Sequence, residues 1–205
     1  MATSQLLDIS PERQRGLRRY NAIAGIFHSV QAIAIIILAN NFALPISVNY
    51  LAGPPVAGAE FEKVTLFSLP LGLTVASFSL LSALAHFYVS GPGFNHYITG
   101  LRKKQNIYRW IEYSISSTVM IVLISVLNAV WDITALISIA GVNISMILFG
   151  WLQERYEEPG KGSLLPFWFG CIAGTIPWIS MFWLLFSPGS TNNAPGFVYG
   201  IVFSL

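Results

Sequence analysis

The sequence predicts an integral membrane protein built almost entirely from α-helices. Of its 205 residues, 54% are hydrophobic and only 10% are charged, whereas a soluble domain carries about 25% charged residues. The mean hydropathy is +0.63, and the apolar residues gather into segments of bilayer-crossing length, about 20 residues each. Cys171 is the single cysteine, so neither a disulfide framework nor a Cys/His zinc site is expected.

Six apolar segments form what we expect to be a single transmembrane domain over residues 1–205. The predicted helices cover residues 20–42, 64–89, 105–127, 132–156, 164–186 and 195–205. The sixth holds about ten residues, which is too few to span a bilayer. We therefore expect this helix to continue, and a seventh to follow, beyond Leu205. Pro177 inside the fifth segment predicts a kink, because it removes a backbone hydrogen bond.

The polar segments between these helices carry local signals of their own. Ser10-Pro11-Glu12 is typical of a helix start, with Ser as N-cap, Pro in the first turn and Glu near the positive helix end. Between residues 43 and 67, alternating and β-favouring stretches flank Gly53-Pro54-Pro55 and predict a small hairpin. Residues 90–93 are expected to stop the second helix, and residues 94–104 to form a loop. A short turn is expected at residues 187–193.

The basic residues predict the orientation of the chain. Arginines and lysines are enriched in the cytoplasmic loops of membrane proteins. Nine of them fall on the side that carries the N-terminus: Arg13, Arg15, Arg18, Arg19, Arg102, Lys103, Lys104, Arg155 and Lys161. The opposite side carries Lys63. We therefore expect a multi-pass cell-membrane protein with a cytoplasmic N-terminus and an outward hairpin, its basic residues forming a collar at the lipid headgroups.

The stretch Arg109-Trp110-Ile111-Glu112-Tyr113-Ser114 places two opposite charges in an apolar segment. Arg109 and Glu112 are three residues apart and share one helix face. His28 and His86 fall at a similar depth in the first and second segments. Gln31 and Ser82 lie one helical turn from His28 and His86, respectively. Because ionisable groups inside a membrane usually face a partner or a polar cavity, the pattern favours such a cavity at Glu112.

Simpler interpretations of these residues remain open. Each histidine could be an interfacial residue, and Arg109 could extend to the headgroups. Glu112 is harder to dismiss, because it would be protonated unless a cation held it ionised. Bulky side chains occupy the third to fifth segments, together with small residues and a lone amide: Trp110, Tyr113, Ser117, Asn143, Met146, Ile147, Gly150 and Trp168. They could be ordinary helix packing, or they could line a pocket for an elongated apolar ligand.

The motif at residues 109–114 resembles the third helix of the heliorhodopsins, retinal-binding photoreceptors whose orientation is inverted relative to other microbial rhodopsins. The resemblance covers essentially the whole chain. It includes His28, His86, the long outward first loop, the stretch from Asn143 to Gly150, and Ile-Pro-Trp at residues 176–178. It implies a bundle of seven transmembrane helices with all-trans retinal bound as a protonated Schiff base to a lysine of the seventh.

The resemblance also implies a role for each candidate residue. Glu112 would be the counterion of the Schiff base. His28, Gln31, Ser82, His86 and Arg109 would line a polar cavity on the cytoplasmic side. The aromatic, small and amide residues named above, from Trp110 to Trp168, would surround the retinal. None of the four lysines lies inside a predicted span, so the attachment lysine is expected beyond Leu205. Family members are dimers with the first outward loop at the interface.

Three functions from different classes follow. The leading hypothesis is a light sensor that signals to an unknown partner without pumping ions, because no carboxylate except Glu112 lies within a span to continue a proton path. The alternative is a light-gated or proton-coupled transporter or channel that uses Glu112, His28 and His86. A colourless membrane scaffold is the third. A hydrolytic enzyme is not expected, because no Ser/His/Asp pattern or metal-ligand pair appears, and no nucleic-acid partner is expected.

Overall fold

The computed structural model describes residues 6–186, 190–191 and 193–204, and it is almost entirely helical. Within that range the elements are α1 (Pro11–Leu38), β1 (Ala43–Leu51), β2 (Phe61–Pro70), α2 (Leu71–Ser90), α3 (Phe94–Arg102), α4 (Ile107–Leu127), α5 (Ile133–Tyr156), α6 (Leu165–Phe186) and α7 (Gly196–Ser204). Five helices, α1, α2, α4, α5 and α6, are long and apolar enough to cross a membrane. The prediction of a helical membrane bundle with a small hairpin is confirmed.

The first helix begins where the local signals place it, nine residues before the predicted span. Ser10 is its N-cap, and its side chain accepts a hydrogen bond from the backbone N–H of Arg13 at 3.3 Å. The helix ends at Leu38, four residues before the predicted boundary. Two asparagines follow, and the Asn40 side chain accepts a hydrogen bond from the N–H of Phe42. Such side-chain bonds compete with helical ones and favour a turn.

The hairpin is longer than the sequence predicted and shortens the second span. Strands β1 and β2 are antiparallel, with Ala43 opposite Pro70, Leu51 opposite Phe61, and an irregularity after Ile46. Residues 64–70, assigned to the second helix by hydropathy, belong to β2 instead. An apolar run of this length fits a strand or a helix, and its valine, threonine and phenylalanine favour the strand.

The hairpin is docked on the turn between α4 and α5. Ile46 is 1% exposed and packs with Val126 and Leu136. The Ser47 N–H donates to the carbonyl of Trp131 at 2.8 Å, and Ser47 forms a bridge with Asp132. The middle of β1, residues 46–48, is thus buried and hydrogen-bonded against the helical bundle, which supports an otherwise marginal two-stranded sheet.

Residues 94–102, predicted as a loop, form the short helix α3. Its buried residues Phe94, Tyr97 and Ile98 recur at helical spacing and pack with Val89 of α2. Gly91 and Gly93 allow the tight turn before it, since a side chain at Gly93 would collide with Tyr88. Hydropathy did not predict α3, because a helix of nine residues with one apolar face is too short to resemble a membrane span.

The remaining helices pack in sequence. α1 packs on α2, α2 on α4, α4 on α5, and α5 on α6. A cluster of Ile121, Ile124, Met181, Leu185 and their α7 neighbours joins α4, α6 and α7. The structure begins α4, α5, α6 and α7 one or two residues after the predicted starts. Most of the turn predicted at residues 187–193, and Leu205, lie outside the described residues.

Candidate functional site

The candidate site lies at the end of the bundle where α1 begins and α2 ends, next to α3. We call this the basic end, because Arg18, Arg19, Arg102, Lys103 and Arg155 lie at or near the helix termini there. A polar cavity of about 340 Å³ opens between α1, α2, α3 and α4. Its lining comprises Leu17, Tyr20, Asn21, Ala85, His86, Val89, Tyr97, Asn106, Tyr108, Arg109, Glu112 and Tyr113.

Glu112 projects from the second turn of α4 towards α2. Its carboxylate oxygen Oε1 accepts a hydrogen bond from the Ser82 hydroxyl at 2.6 Å. Besides the polar cavity, Glu112 reaches a mostly apolar cleft of about 510 Å³ between α2 and α4. A single neutral donor leaves most of the acceptor capacity of a carboxylate unused. The arrangement is suited to a further donor or a cation.

The two predicted histidines meet across α1 and α2. The rings of His28 and His86 are stacked, with centroids 5.6 Å apart and planes within 8°. His86 Nδ1 lies 2.9 Å from the side-chain oxygen of Asn21. His28 Nδ1 is buried, and among the described residues it is the one buried side-chain nitrogen or oxygen without a hydrogen-bond partner. His86 therefore lies in the cavity wall, and His28, which stacks on it, places a buried polar nitrogen inside the α1–α2 interface.

The structure brings most of the predicted cavity residues together. Arg109, Glu112 and His86 line the cavity, and Ser82 and His28 each contact one of them. Gln31 is different: its side chain is exposed on α1. Its neighbour Ala32 is buried, so Gln31 lies on a different face of α1 from the one that packs in the bundle.

Arg109 shares a helix face with Glu112, but its ion pair is formed elsewhere. Its guanidinium nitrogen Nη2 lies 3.2 Å from the carboxylate of Glu154 near the end of α5. Its guanidinium also lies over the ring of Trp110. With Arg109 held by Glu154, the charge of Glu112 is left for a different partner.

Glu154 is the centre of a network that the sequence did not predict. Its Oε1 accepts from the backbone N–H of Asn106 at 2.9 Å. Its Oε2 accepts from Arg109 and from the indole N–H of Trp110. These bonds join the start of α4 to the end of α5. Glu154 lies at a helix end, where a carboxylate is usually a solvated surface residue. Nothing in the sequence therefore indicated that it would join two helices.

Tyr108 was also missed. It lines the polar cavity, and its hydroxyl forms a 2.8 Å hydrogen bond with Nδ1 of His96, an exposed residue of α3. Tyr88 and Tyr97 pack on its ring. The sequence offered no reason to connect residues 96 and 108 while residues 94–102 were read as a loop.

The residues predicted to surround a ligand lie mainly between α4 and α5. Buried Asn143 donates hydrogen bonds to the hydroxyls of Ser117 and Thr118 at 2.9 and 3.0 Å. Trp110 packs on Gly150, where an added Cβ would lie 2.5 Å from the indole ring. Close contact between ring and backbone is thus possible only with glycine at this position.

The other four predicted ligand contacts are less enclosed. Met146 packs towards α6 at Gly174, and Ile147 is partly buried. Tyr113 is 49% exposed and Trp168 is 58% exposed. The structure therefore places an aromatic and a small residue in direct contact at Trp110 and Gly150, and it leaves two aromatic rings accessible.

These features fit a cationic, elongated apolar ligand. Glu112 offers a half-buried carboxylate without an ion-pair partner among the described residues, and the aromatic and aliphatic side chains offer apolar surface. A membrane-embedded helical bundle with this combination is compatible with the rhodopsin class of membrane proteins. Comparison with protein families agrees: the heliorhodopsin family model matches residues 17–205. The chain therefore belongs to the heliorhodopsin family, a family of retinal-binding membrane rhodopsins rather than a class of enzymes. A comparison with curated proteins gave no match.

Proposed function

We propose that this protein is a light sensor in which isomerisation of bound all-trans retinal drives a slow conformational signal without ion pumping. The supporting observation is that the Glu112 carboxylate has no ion-pair partner among the described residues. Its hydrogen bond comes from neutral Ser82, while the nearest arginine on its helix is paired with Glu154. The Glu112 carboxylate is thus available as the counterion of a cationic chromophore.

Retinal would be held covalently, as a protonated Schiff base, by a lysine outside residues 1–205. This part of the proposal rests on family membership and on the positions of the lysines, none of which falls in a helix. When bound, retinal supplies light absorption and a positively charged iminium nitrogen. Glu112 stabilises that charge, because a carboxylate close to a cation in a low-dielectric site favours the charged form of both.

The remaining predicted contacts are assigned by position. Trp110, Tyr113 and Trp168 would contribute aromatic surface to the retinal site. Further lining would come from five residues on α4 and α5: Ser117, Asn143, Met146, Ile147 and Gly150. His28, Ser82, His86 and Arg109 would form the polar side of the site, where proton positions change after light absorption. Gln31, which was predicted to belong to this set, is exposed on α1 and would join it only through a change of its side-chain conformation.

The absence of pumping is proposed from the distribution of carboxylates. Among the described residues of the five long helices, Glu112 is the one carboxylate more than a turn from a helix end. A pump moves protons along successive ionisable groups. The second candidate, a light-gated or proton-coupled channel, is favoured by the cavity that joins Glu112 and His86. Photocurrents under voltage clamp separate the two functions.

We also propose the setting of the protein. The N-terminus and the basic end face the cytoplasm, since basic residues favour that side. Surrounding lipid covers the exposed apolar helix surfaces. Two copies pair with the outward hairpin at the interface, and an unidentified partner receives the signal.

The first test is an absorption spectrum of the full-length protein with all-trans retinal, followed by hydroxylamine under illumination. A visible band that bleaches is expected. Glu112→Gln should move this band to longer wavelength and lower the pKa at which the band is lost. Glu12→Gln, in the exposed first turn of α1, is the matched control and should leave both unchanged. A band and titration unaffected by Glu112→Gln would refute the counterion role, and no band at all would favour the colourless scaffold.

A further inference from the structure

Asn21 is a buried polar residue of α1 that the proposed function does not use. It is 7% exposed, and its side chain makes two hydrogen bonds. The amide nitrogen Nδ2 donates to the carbonyl of Leu17 at 2.9 Å. The amide oxygen Oδ1 lies 2.9 Å from Nδ1 of His86 on α2. Each atom of the amide therefore has one partner.

These partners determine the hydrogen positions. A backbone carbonyl can only accept, so the NH₂ group of Asn21 must face Leu17 and its oxygen must face His86. An amide oxygen also can only accept, so Nδ1 of His86 must carry a hydrogen. A neutral imidazole has one N–H, and the tautomer is set by the hydrogen bond that one nitrogen makes. In the neutral ring, Nε2 of His86 is then unprotonated.

We propose that Asn21 is a positioning residue that holds His86 in the Nδ1–H tautomer, so that Nε2 is the atom at which His86 takes up a proton. The functional part of this inference rests on the proposed light-driven function. The tautomer itself does not, because it depends on α1 and α2 alone.

Proton uptake at Nε2 leaves the hydrogen bond between Nδ1 of His86 and Asn21 in place. Bound retinal would supply the proton from its iminium nitrogen, which would become neutral, and Nε2 of His86 would take that proton on its lone pair. His86 becomes an imidazolium with hydrogens on both nitrogens. Nδ1–H continues to donate to Asn21, so this bond is kept in both states. The proton leaves by the reverse step.

The surroundings of His86 suit this role. Glu112 and Arg109 line the same cavity, so a carboxylate and a cation border the same space as the ring. His28 stacks on the opposite side at 5.6 Å. Fixing one nitrogen of His86 leaves a single uptake position on this ring.

The test is ¹⁵N NMR of histidine-labelled full-length protein in lipid, measured with and without retinal. A His86→Gln sample assigns the His86 signals. We expect the wild type to show a protonated Nδ1 and an unprotonated Nε2 in both conditions. Asn21→Leu removes the acceptor and should raise the fraction with Nε2–H. Asn21→Asp keeps an acceptor oxygen and should restore Nδ1–H. Ser29→Ala, which removes a local helix bond elsewhere on α1, should change nothing.

Flash spectroscopy then tests the consequence for proton transfer. Asn21→Leu should slow the step that follows loss of the iminium proton by about tenfold or more, since a positioned acid or base contributes about 10²–10⁴ in rate. Asn21→Asp should be closer to wild type.

The outcomes separate the inference from the proposed function. An Nε2–H tautomer in the wild type overturns the inference, with no variant needed and whether or not retinal binds. A changed tautomer in Asn21→Leu with an unchanged transfer rate overturns Nε2 as the uptake site. A missing visible band removes the light-driven function, while the apoprotein spectrum still supports or overturns the tautomer.

Discussion

Removing the carboxylate of Glu154 should destabilise the protein measurably. The carboxylate accepts from Asn106, Arg109 and Trp110 and joins α4 to α5. The ion pair itself contributes little, about 0–1 kcal/mol, because the Arg109 side chain is 43% exposed. The two part-buried N–H donors matter more, because hydrogen bonds to charged groups contribute about 1.5–3 kcal/mol each. They share one acceptor, so their contributions are not additive.

We expect Glu154→Ala to cost about 2–4 kcal/mol, which corresponds to a fall in Tm of about 5–15 °C for a chain of this length. Glu154→Gln keeps one acceptor oxygen but turns an NH₂ group towards other donors, so an intermediate loss is expected. Thermal unfolding in detergent or lipid, followed by circular dichroism, measures both.

Glu158→Ala is the matched control. This glutamate lies four residues further along, is exposed, and its side chain has no hydrogen bond among the described residues. Its substitution should stay within about 0.5 kcal/mol of wild type. Equal unfolding temperatures for Glu154→Ala and Glu158→Ala would refute the reasoning, because the network would then contribute nothing to stability.

Three further predictions concern other parts of the chain. Gly150→Ala should displace the indole of Trp110, cost about 1–3 kcal/mol of unfolding free energy, and shift the visible band of the pigment; an unchanged band would separate Trp110 from the chromophore. The Thr134 hydroxyl, followed by backbone N–H groups, lowers the pKa of Asp132, so this carboxylate stabilises the fold above its unfolded-state pKa and loses that effect as pH falls through its folded-state pKa. The stability difference between wild type and Asp132→Asn should therefore change in that acidic range and be constant above it, as measured by thermal unfolding at stepped pH. Ile46→Ala should cost about 2–5 kcal/mol by the same measurement, and a loss below 1 kcal/mol would show that the hairpin docks without this side chain.

The helical bundle could be predicted from the sequence, because each membrane-spanning helix is marked by a long run of apolar residues. Hydropathy located α4, α5 and α6 within two residues of their observed ends. It failed at residues 64–70, where an apolar stretch reads equally well as helix or strand. It also failed at residues 94–102, where a short helix buries one face against α2.

The site was predictable where a residue type is costly in a membrane. Glu112, His28 and His86 stand out against apolar neighbours, and the structure brings them close together. Asn21 and Glu154 were not found, because an asparagine near the basic collar and a glutamate near a helix end are ordinary in those places. Their partners are 65 and 44–48 residues away in sequence, and such pairings depend on how the helices pack.

The attachment of α4 to α5 at both ends has a mechanical consequence. At one end the hairpin and the short turn clamp the two helices, and at the other Glu154 ties them together. The two helices therefore form a rigid unit about 30 Å long, at 1.5 Å per residue. We therefore expect a conformational change that begins beside Glu112 to leave the spacing between α4 and α5 largely unchanged. The contact between α2 and α4 is joined by the hydrogen bond from the Ser82 hydroxyl to Glu112, and it is the contact that we expect to change. Spin labels placed across α4 and α5 should keep their distance during a light cycle, while labels across α2 and α4 should move.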